Sequence, residues 1–489
     1  MLQRSAGTAL LAMLFLVAGC GGGGTAAVPS AIGDAAAPNG DTVAIASRKV
    51  RHPSPSPGPS STPAPTGSST PSPTSAVTPL PASAFNDSVG VNTHINYYGS
   101  AYDTGYATWS PTLLNSRIKH VRDQFCNWGT ASTFCTQTWA QRWNQFAAAG
   151  IHFDVISNPW MGWSSSSTGG CHGTCFLGYP AALGLTSSGI EAYEGPNECD
   201  ESSNCTSYGT TTQTQTFTVD TWTPLLWTLR SATTAIYSPA MAFPNDYSQF
   251  GNLSQYINVG AIHDYTKPLQ PEYSNGTSLG IAAWQSGTAP MTGTAPLITT
   301  ENGYNTDPTF ANGGVSQLAQ ERYTPRILLT HLEHNIRRVY LYELIDLGTS
   351  GSGNMWGLLN ANYTPKPAWT RLTQLMNYFA DSGTASLAPL SYSLSGDTTG
   401  VLNKVLFEKS DGSYILVPWL GTQLWNPSSD SDLAPSTETL TLQLPSTVTS
   451  VTVTKFADNG ATTTTTLSGT SGRFSLPVSS LIEGVAFHP

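Results

Sequence analysis

The sequence predicts an α/β fold, a (β/α)8 TIM barrel followed by a small all-β sandwich domain. Three observations predict it. Eight strand-like apolar runs alternate with helix-like segments between residues 84 and 383. From 384 to 489 the character changes to short alternating runs separated by turn signals. Ahead of both, residues 21–83 hold Gly, Ala, Ser, Thr and Pro with no apolar periodicity, so no core can form there.

The barrel runs are Ser88–Asn92, Ile118–Arg122, His152–Ser157, Gly189–Tyr193, Ile236–Met241, Val259–His263, Pro296–Thr300 and Val339–Leu344. Helical faces fall between several of them. Trp139, Trp143 and Phe146 mark one, and Gly150 follows as a stop. Leu225, Leu229 and Ala232 mark a second, and Leu318, Tyr323, Ile327 and Leu328 a third. Ala368, Leu372, Leu375 and Phe379 close the series. A doubly wound sheet is the structural alternative, but its first strand usually leads into a Gly-rich phosphate loop. Here the first run leads into "NTHINYY". The sandwich strands are expected at Ser391–Leu394, Lys404–Glu408, Tyr414–Trp419, Thr437–Leu444, Ser450–Phe456, Arg473–Pro477 and Gly484–His488. Asp411-Gly412 and Asn459-Gly460 are turn signals between them.

The N-terminus reads as an export signal spanning residues 1–20. Arg4 precedes the apolar run Ala9 to Ala18, which is too short to span a bilayer as a mature helix. Val17-Ala18-Gly19-Cys20 resembles a bacterial lipobox. That resemblance implies cleavage before Cys20 and lipidation of its thiol, so the expected membrane link is a lipid anchor. The stretch 21–83 then serves as a semi-rigid tether. The expected location is outside the cytoplasm, on a membrane face.

Only 10% of residues are charged, against about a quarter in typical domains. The net charge of −10 excludes a nucleic-acid partner, because backbone phosphates need a basic face. It also makes a neutral polymer the better substrate expectation, unless a local patch overrides it. Setting Cys20 aside leaves six cysteines in three close pairs: Cys126 with Cys135, Cys171 with Cys175, and Cys199 with Cys205. An oxidising compartment favours three local disulfides. None of the pairs has the C-x-x-C spacing of a zinc knuckle, so no metal is expected there.

In a barrel of this kind the chemistry sits just after the strands. The fourth run ends "IEAYEGPNECD", placing Asn197 and Glu198 at its mouth. The seventh reads "PLITTENGY", placing Glu301 at its end. Two carboxyls facing each other across a barrel mouth are what retaining glycoside hydrolysis needs. One donates a proton to the leaving oxygen, and the other attacks as an ionised nucleophile from about 5 Å away. A neighbouring carboxylate raises the pKa of the acid.

These residues resemble the clan A glycoside hydrolases, whose mark is an Asn-Glu pair ending strand four and a Glu ending strand seven. The resemblance implies Glu198 as acid/base, Glu301 as nucleophile and Asn197 as the partner of the sugar 2-hydroxyl. It further implies that Arg122, in "HVRDQF", supports the nucleophile, and that His263 and Tyr265, in "AIHDY", stand beside it. "WGLLNANYTPKPAW", from Trp356 to Trp369, is similar to the strand-eight loop of families 5 and 39. A barrel followed by a sandwich looks most like family 39. One residue departs from the pattern: Glu343 stands in "YLYELID", where many relatives carry an aromatic residue.

Trp128, Trp160, Trp163 and Trp356 fall in expected loops and offer apolar faces for sugar C–H groups. His94 and Asn96 follow the first run and are candidates for a terminal sugar. All three cysteine pairs fall in loops on the same face, where they would stiffen the cleft. The expected protein is a monomeric, cofactor-free, endo-acting enzyme on a carbohydrate substrate. Two other classes compete. A non-catalytic carbohydrate-binding protein on the same scaffold would not need both Glu. A metal-dependent hydrolase would need His-x-His on the first strand, where the sequence has Asn92-Thr93-His94.

Overall fold

A computed structural model describes residues 76–126, 133–157, 174–201, 215, 218–273, 280–310 and 313–489. The barrel strands are β1 Val89–Asn92, β2 His120–Gln124, β3 His152–Ile156, β4 Ile190–Glu194, β5 Ala235–Tyr237, β6 Gly260–Ile262, β7 Leu297–Asn302 and β8 Val339–Leu341. All eight expected runs are strands, shifted by a few residues. They pair in parallel in the order β5-β4-β3-β2-β1-β8-β7-β6. A parallel bridge from Tyr237 to Val259 joins β5 to the residue before β6 and closes the ring. Most strand residues are buried on both faces, as parallel strands covered by helices must be.

Helices α1 Tyr106–Leu114, α2 Ala140–Ala148, α3 Thr174–Ala182, α4 Thr223–Trp227, α5 Tyr247–Phe250, α6 Ile281–Thr292, α7 Gln317–Glu333 and α8 Pro367–Tyr378 follow the strands in turn. α2 buries Trp143 and Phe146 and is stopped at Gly150, whose φ of 72° suits glycine. α7 begins where the Ser316 side chain accepts a hydrogen bond from Ala319 N. α4 ends at Trp227, so Leu229 and Ala232 lie beyond it rather than on the expected helical face. No helix among the described residues is long and apolar enough to cross a membrane.

The barrel interior is layered. Ala192, Tyr237, Ala261, Ile298 and Tyr340 form an apolar plug. Tyr340 fits there because β1 has Gly90 opposite: a Cβ at that position would lie 2.4 Å from the Tyr340 ring. Below the plug, His120, Glu191, Arg338 and Asp87 form an ion network. Glu191 sits at a β-bulge between β3 and β4. Above the plug, β1, β2 and β3 align Asn92, Arg122 and Asp154 in one register row. That polar row is the floor of the candidate site.

The C-terminal unit has strands β9 Ser393–Ser395, β10 Leu402–Glu408, β11 Tyr414–Leu420, β12 Thr437–Gln443, β13 Ser450–Phe456, β14 Thr462–Ser468, β15 Arg473–Ser479 and β16 Glu483–Phe487. One sheet runs β10-β11-β16-β13-β14 and the other β9-β12-β15. Leu416, Leu442, Val453, Leu476 and Val485 pack between them. The seven expected strands are present. β14 is additional: its "TTTTTLS" is almost wholly exposed and has no apolar alternation to read.

The expected linker end at 83 needs correction. Leu80–Pro81 pairs in parallel with Phe407 and Glu408, extending the six-stranded sheet. The segment before the barrel therefore belongs to the sandwich, because Leu80 and Ala82 find apolar cover there. Barrel and sandwich are also clamped by charge. Arg326 of α7 pairs with Glu272, which accepts from Trp419 Nε1 at 2.6 Å.

Candidate active site

Arg122 organises the floor. Its guanidinium gives Nε and Nη2 to the two oxygens of Glu194, at 2.6 and 3.0 Å. Nη1 donates to Glu301 Oε1 at 2.6 Å and to Asn92 Oδ1 at 3.0 Å. Nη2 also donates to Asn197 Oδ1 at 2.5 Å. Such a planar fork suits several fixed acceptors in a way that an ammonium does not. Arg122 and Glu194 are both fully buried.

Glu301 is buried at the end of β7. It accepts from Arg122 on one oxygen and from the Tyr265 hydroxyl, at 3.0 Å, on the other. Burial alone disfavours its charge. The charges of His263 and Arg122, with the hydrogen bonds from Arg122 and Tyr265, outweigh burial and hold its pKa below the ordinary value. Glu301 is an ionised carboxylate.

Glu198 stands across the mouth on the loop after β4, with its side chain 22% exposed. Its φ is 46°, a left-handed conformation that costs a non-glycine residue about 1 kcal/mol or more. The loop is held there by hydrogen bonds. Glu198 N–H donates to Ala240 O at 2.8 Å, and Asp200 accepts from Ala242 N and Phe243 N at 3.0 Å each. Cys199 is disulfide-bonded, its partner lying outside the described residues. Glu198 Oε1 lies 2.7 Å from His263 Nδ1. One oxygen from each Glu and a His263 nitrogen all lie within 4.8 Å of one another.

His263 joins the two sides. Burial pushes its pKa down, but the carboxylates of Glu301 and Glu198 prevail and raise it above the ordinary value. Nδ1 donates to Glu198, and Nε2 faces Arg122 Nη2 at 3.5 Å. The same three groups, Glu198, His263 and Glu301, have the donor set of a cation site. Arg122 already supplies the positive charge that Glu301 needs, at 2.6 Å.

The structure thus brings Glu198, Glu301, Asn197, Arg122, His263 and Tyr265 into one cluster. His94 lies at its edge, lining a small cavity of about 10 Å³ with Arg122, Tyr97 and Glu301. The Trp356 ring stands 5.6 Å from that of Tyr265. Trp160, Trp128 and Trp163 lie outside the described residues.

Of the three expected disulfides, the structure describes one, Cys126–Cys135. The other two expected pairings, Cys171 with Cys175 and Cys199 with Cys205, are not among the described contacts. Cys171 and Cys205 lie outside the described residues, as does Cys20. Cys175 is not in a loop as expected: its backbone falls in the first turn of α3, and its side chain is outside the described set.

Glu343 faces away from the pair. Tyr102 donates to its Oε2 at 3.1 Å, and His94 Nε2 is 3.4 Å away. Burial, with Asp346 and Glu301 adding to it, raises the Glu343 pKa well above the carboxylate range despite the Tyr102 bond. Burial likewise lowers His94 to about 4. Both groups are neutral, so their contact is not an ion pair. The ring at this point of the strand belongs to Tyr342, 5.8 Å from His94 and 6.0 Å from Trp356.

Sequence reasoning missed Glu194, Asp154 and Lys267. Glu194 and Asp154 lie inside strands, where charged residues carry no loop signal. Asp154 is fully buried, and burial with the nearby Glu194 charge raises its pKa well above the ordinary value. It is a neutral acid sharing its proton with Glu194.

No protein-family model and no curated protein matches the sequence. Solved structures match the fold. A family 39 glycoside hydrolase from the gut symbiont Bacteroides cellulosilyticus superposes with a TM-score of 0.57 at 14% identity, covering 83% of this chain and 82% of that one. CelM2, a bifunctional glucanase-xylanase from a metagenome library, gives 0.52 at 11% identity, covering 84% and 96%. The chain shares with both the fold of a parallel eight-stranded barrel joined to a β-sandwich.

Proposed function

We propose that this chain is a retaining glycoside hydrolase, exported and held at a membrane by a lipid anchor on Cys20, cleaving O-glycosidic bonds within a polysaccharide. One observation carries the reading: an ionised Glu301, clamped by Arg122 and Tyr265, faces Glu198 within 4.8 Å at the mouth of the barrel. That separation suits the retaining spacing of about 5–5.5 Å and falls short of the roughly 6.5–9.5 Å that leaves room for an inverting water.

In this reading Glu301 attacks the anomeric carbon as Glu198 protonates the departing oxygen. A glycosyl ester forms on Glu301, and the aglycone leaves. Glu198, now a carboxylate, removes a proton from water, which attacks the ester carbon. The sugar departs with its configuration retained, and Glu198 is reprotonated. His263 holds the proton store beside Glu198. Asn197, oriented by Arg122, contacts the 2-hydroxyl. Tyr265 and Arg122 keep the leaving carboxylate of the second step stable.

The test is a panel of aryl glycosides and polysaccharides assayed with the purified protein, with and without EDTA. Hydrolysis that persists in EDTA and falls on the order of 10⁴-fold in Glu301→Ala supports the proposal. Loss of activity on chelation would favour a cation at the Glu198–His263–Glu301 cluster. No hydrolysis of any glycan would favour a binding protein on this scaffold.

A further inference from the structure

Lys267 follows Tyr265 by two residues, in the loop after β6. Its Nζ lies 4.2 Å from the Trp356 ring centroid, 4.7 Å from Tyr265 and 5.5 Å from Phe310. Among the described residues, no carboxylate is within ion-pair distance of Nζ and no acceptor takes its hydrogen bonds. The other buried cations of the described residues have partners. Lys366 lies 2.8 Å from Asp346, Arg371 2.8 Å from Glu321 and Arg338 3.0 Å from Asp87, and Arg326 pairs with Glu272. Burial lowers the Lys267 pKa to about 8, against the pull of Glu198 and Glu301.

An ammonium has three donors and is strongly hydrated, so withdrawing it from water without a counter-ion costs several kcal/mol. Aromatic faces return only about 2 kcal/mol. The exception stands where substrate would pass. Tyr265 carries Lys267 over its ring and donates its hydroxyl to Glu301. On the other side, Pro268 and Phe310 open a cavity of about 250 Å³ that reaches Pro427 and Asp430 of the sandwich. Glu198 and Glu301 are taken up by His263, Arg122 and Tyr265. A sugar hydroxyl would accept one donor and leave the charge uncompensated among hydrocarbon walls. An anion satisfies both needs.

We propose that Lys267 is the anion-recognising residue of the cleft, and that the substrate carries an acidic sugar whose carboxylate or sulfate ester seats on its ammonium beside Tyr265, Phe310 and Trp356. This rests on the glycoside-hydrolase reading. It reverses the neutral-polymer expectation, because the overall charge of −10 does not describe this local wall.

The full chain is assayed on matched oligosaccharides that are neutral, uronate-bearing or sulfate-bearing. The expected result is a higher kcat/KM on one acidic series, which also identifies the anion. In Lys267→Met the acidic-to-neutral ratio falls roughly 10- to 100-fold; in Lys267→Arg most of it is kept. The ratio is measured within one preparation, so partial misfolding cancels. Equal wild-type rates on neutral and acidic series, or a ratio unchanged in Lys267→Met, overturns the inference. If neutral glycans are cleaved and Glu301→Ala abolishes this, only the lysine inference has failed. If no glycan is cleaved, the glycosidase reading fails and takes this inference with it.

Discussion

Arg122 Nη1 lies 2.6 Å from Glu301 Oε1, while Nε and Nη2 of the same guanidinium grip both oxygens of Glu194. One buried cation thus fixes a strand-seven carboxylate against strands two and four. Arg122→Lys keeps the charge but cannot reach all of these acceptors. The expected outcome is a kcat lowered about 10- to 100-fold and a stability loss of about 3 kcal/mol or more from the disrupted buried pair. Steady-state kinetics and denaturant unfolding measure the two effects; wild-type values in both would remove Arg122 from this role.

Glu198 is expected to act twice, as acid and then as base. Glu198→Ala removes the base for the second step, so a glycosyl ester on Glu301 waits for a nucleophile that needs no deprotonation. Azide then restores turnover on activated aryl glycosides and yields a glycosyl azide of retained configuration. An unresponsive variant would move the acid/base role away from Glu198.

Asp154 and Glu194 are adjacent buried acids that differ in charge. Asp154 is held neutral by burial and by Glu194, so Asp154→Asn keeps both shape and charge. The expected cost is under about 1 kcal/mol, with activity largely retained. Glu194→Gln removes the main counter-ion of Arg122 and costs about 3–5 kcal/mol. Paired unfolding curves decide it. An equal loss in both variants would mean that Asp154 is ionised.

The network under the barrel sets a pH dependence of stability. Burial opposes the charge on His120, but hydrogen bonds to Asp87 and Glu191 prevail and raise its pKa. A raised histidine contributes stability that is fully present below its unfolded pKa, about 6.5, and lost as pH rises through the folded value. Despite burial, Glu191 and Asp87 are lowered by His120 and Arg338. Their share is present above the unfolded carboxylate pKa of about 4 and lost as pH falls through the folded values. The network is therefore strongest at about pH 5–6. His120→Gln is expected to lower the melting temperature by several degrees there, and by much less above pH 8. A pH-independent difference would show that packing, not charge, is what His120 contributes.

Much of this molecule was legible in the sequence, because parallel strands buried on both faces appear as apolar runs and barrel loops expose their polar residues in order. Glu198 and Glu301 could be found by looking just beyond the C-terminal end of each run. The missing parts share a cause. Glu194 and Asp154 lie within strands, and only the register that aligns Asp154 with Arg122 shows a polar layer there. Leu80–Pro81 joins a sheet whose other strands lie more than 300 residues later, a pairing no local pattern reveals. β14 is a threonine ribbon on a sheet edge, where an apolar stripe is not needed. Lys267 became visible only when its surroundings proved to hold rings and no acceptor.

The central claim is that Glu301 becomes covalently glycosylated during turnover. The direct measurement is mass spectrometry of the protein after reaction with a 2-deoxy-2-fluoro glycoside bearing a good leaving group, in the acidic or neutral series that the enzyme cleaves. The account predicts one added glycosyl mass per chain, on the peptide containing Glu301, and none in Glu301→Ala. An unlabelled protein that still hydrolyses its substrate, or a label on another carboxylate, would contradict it.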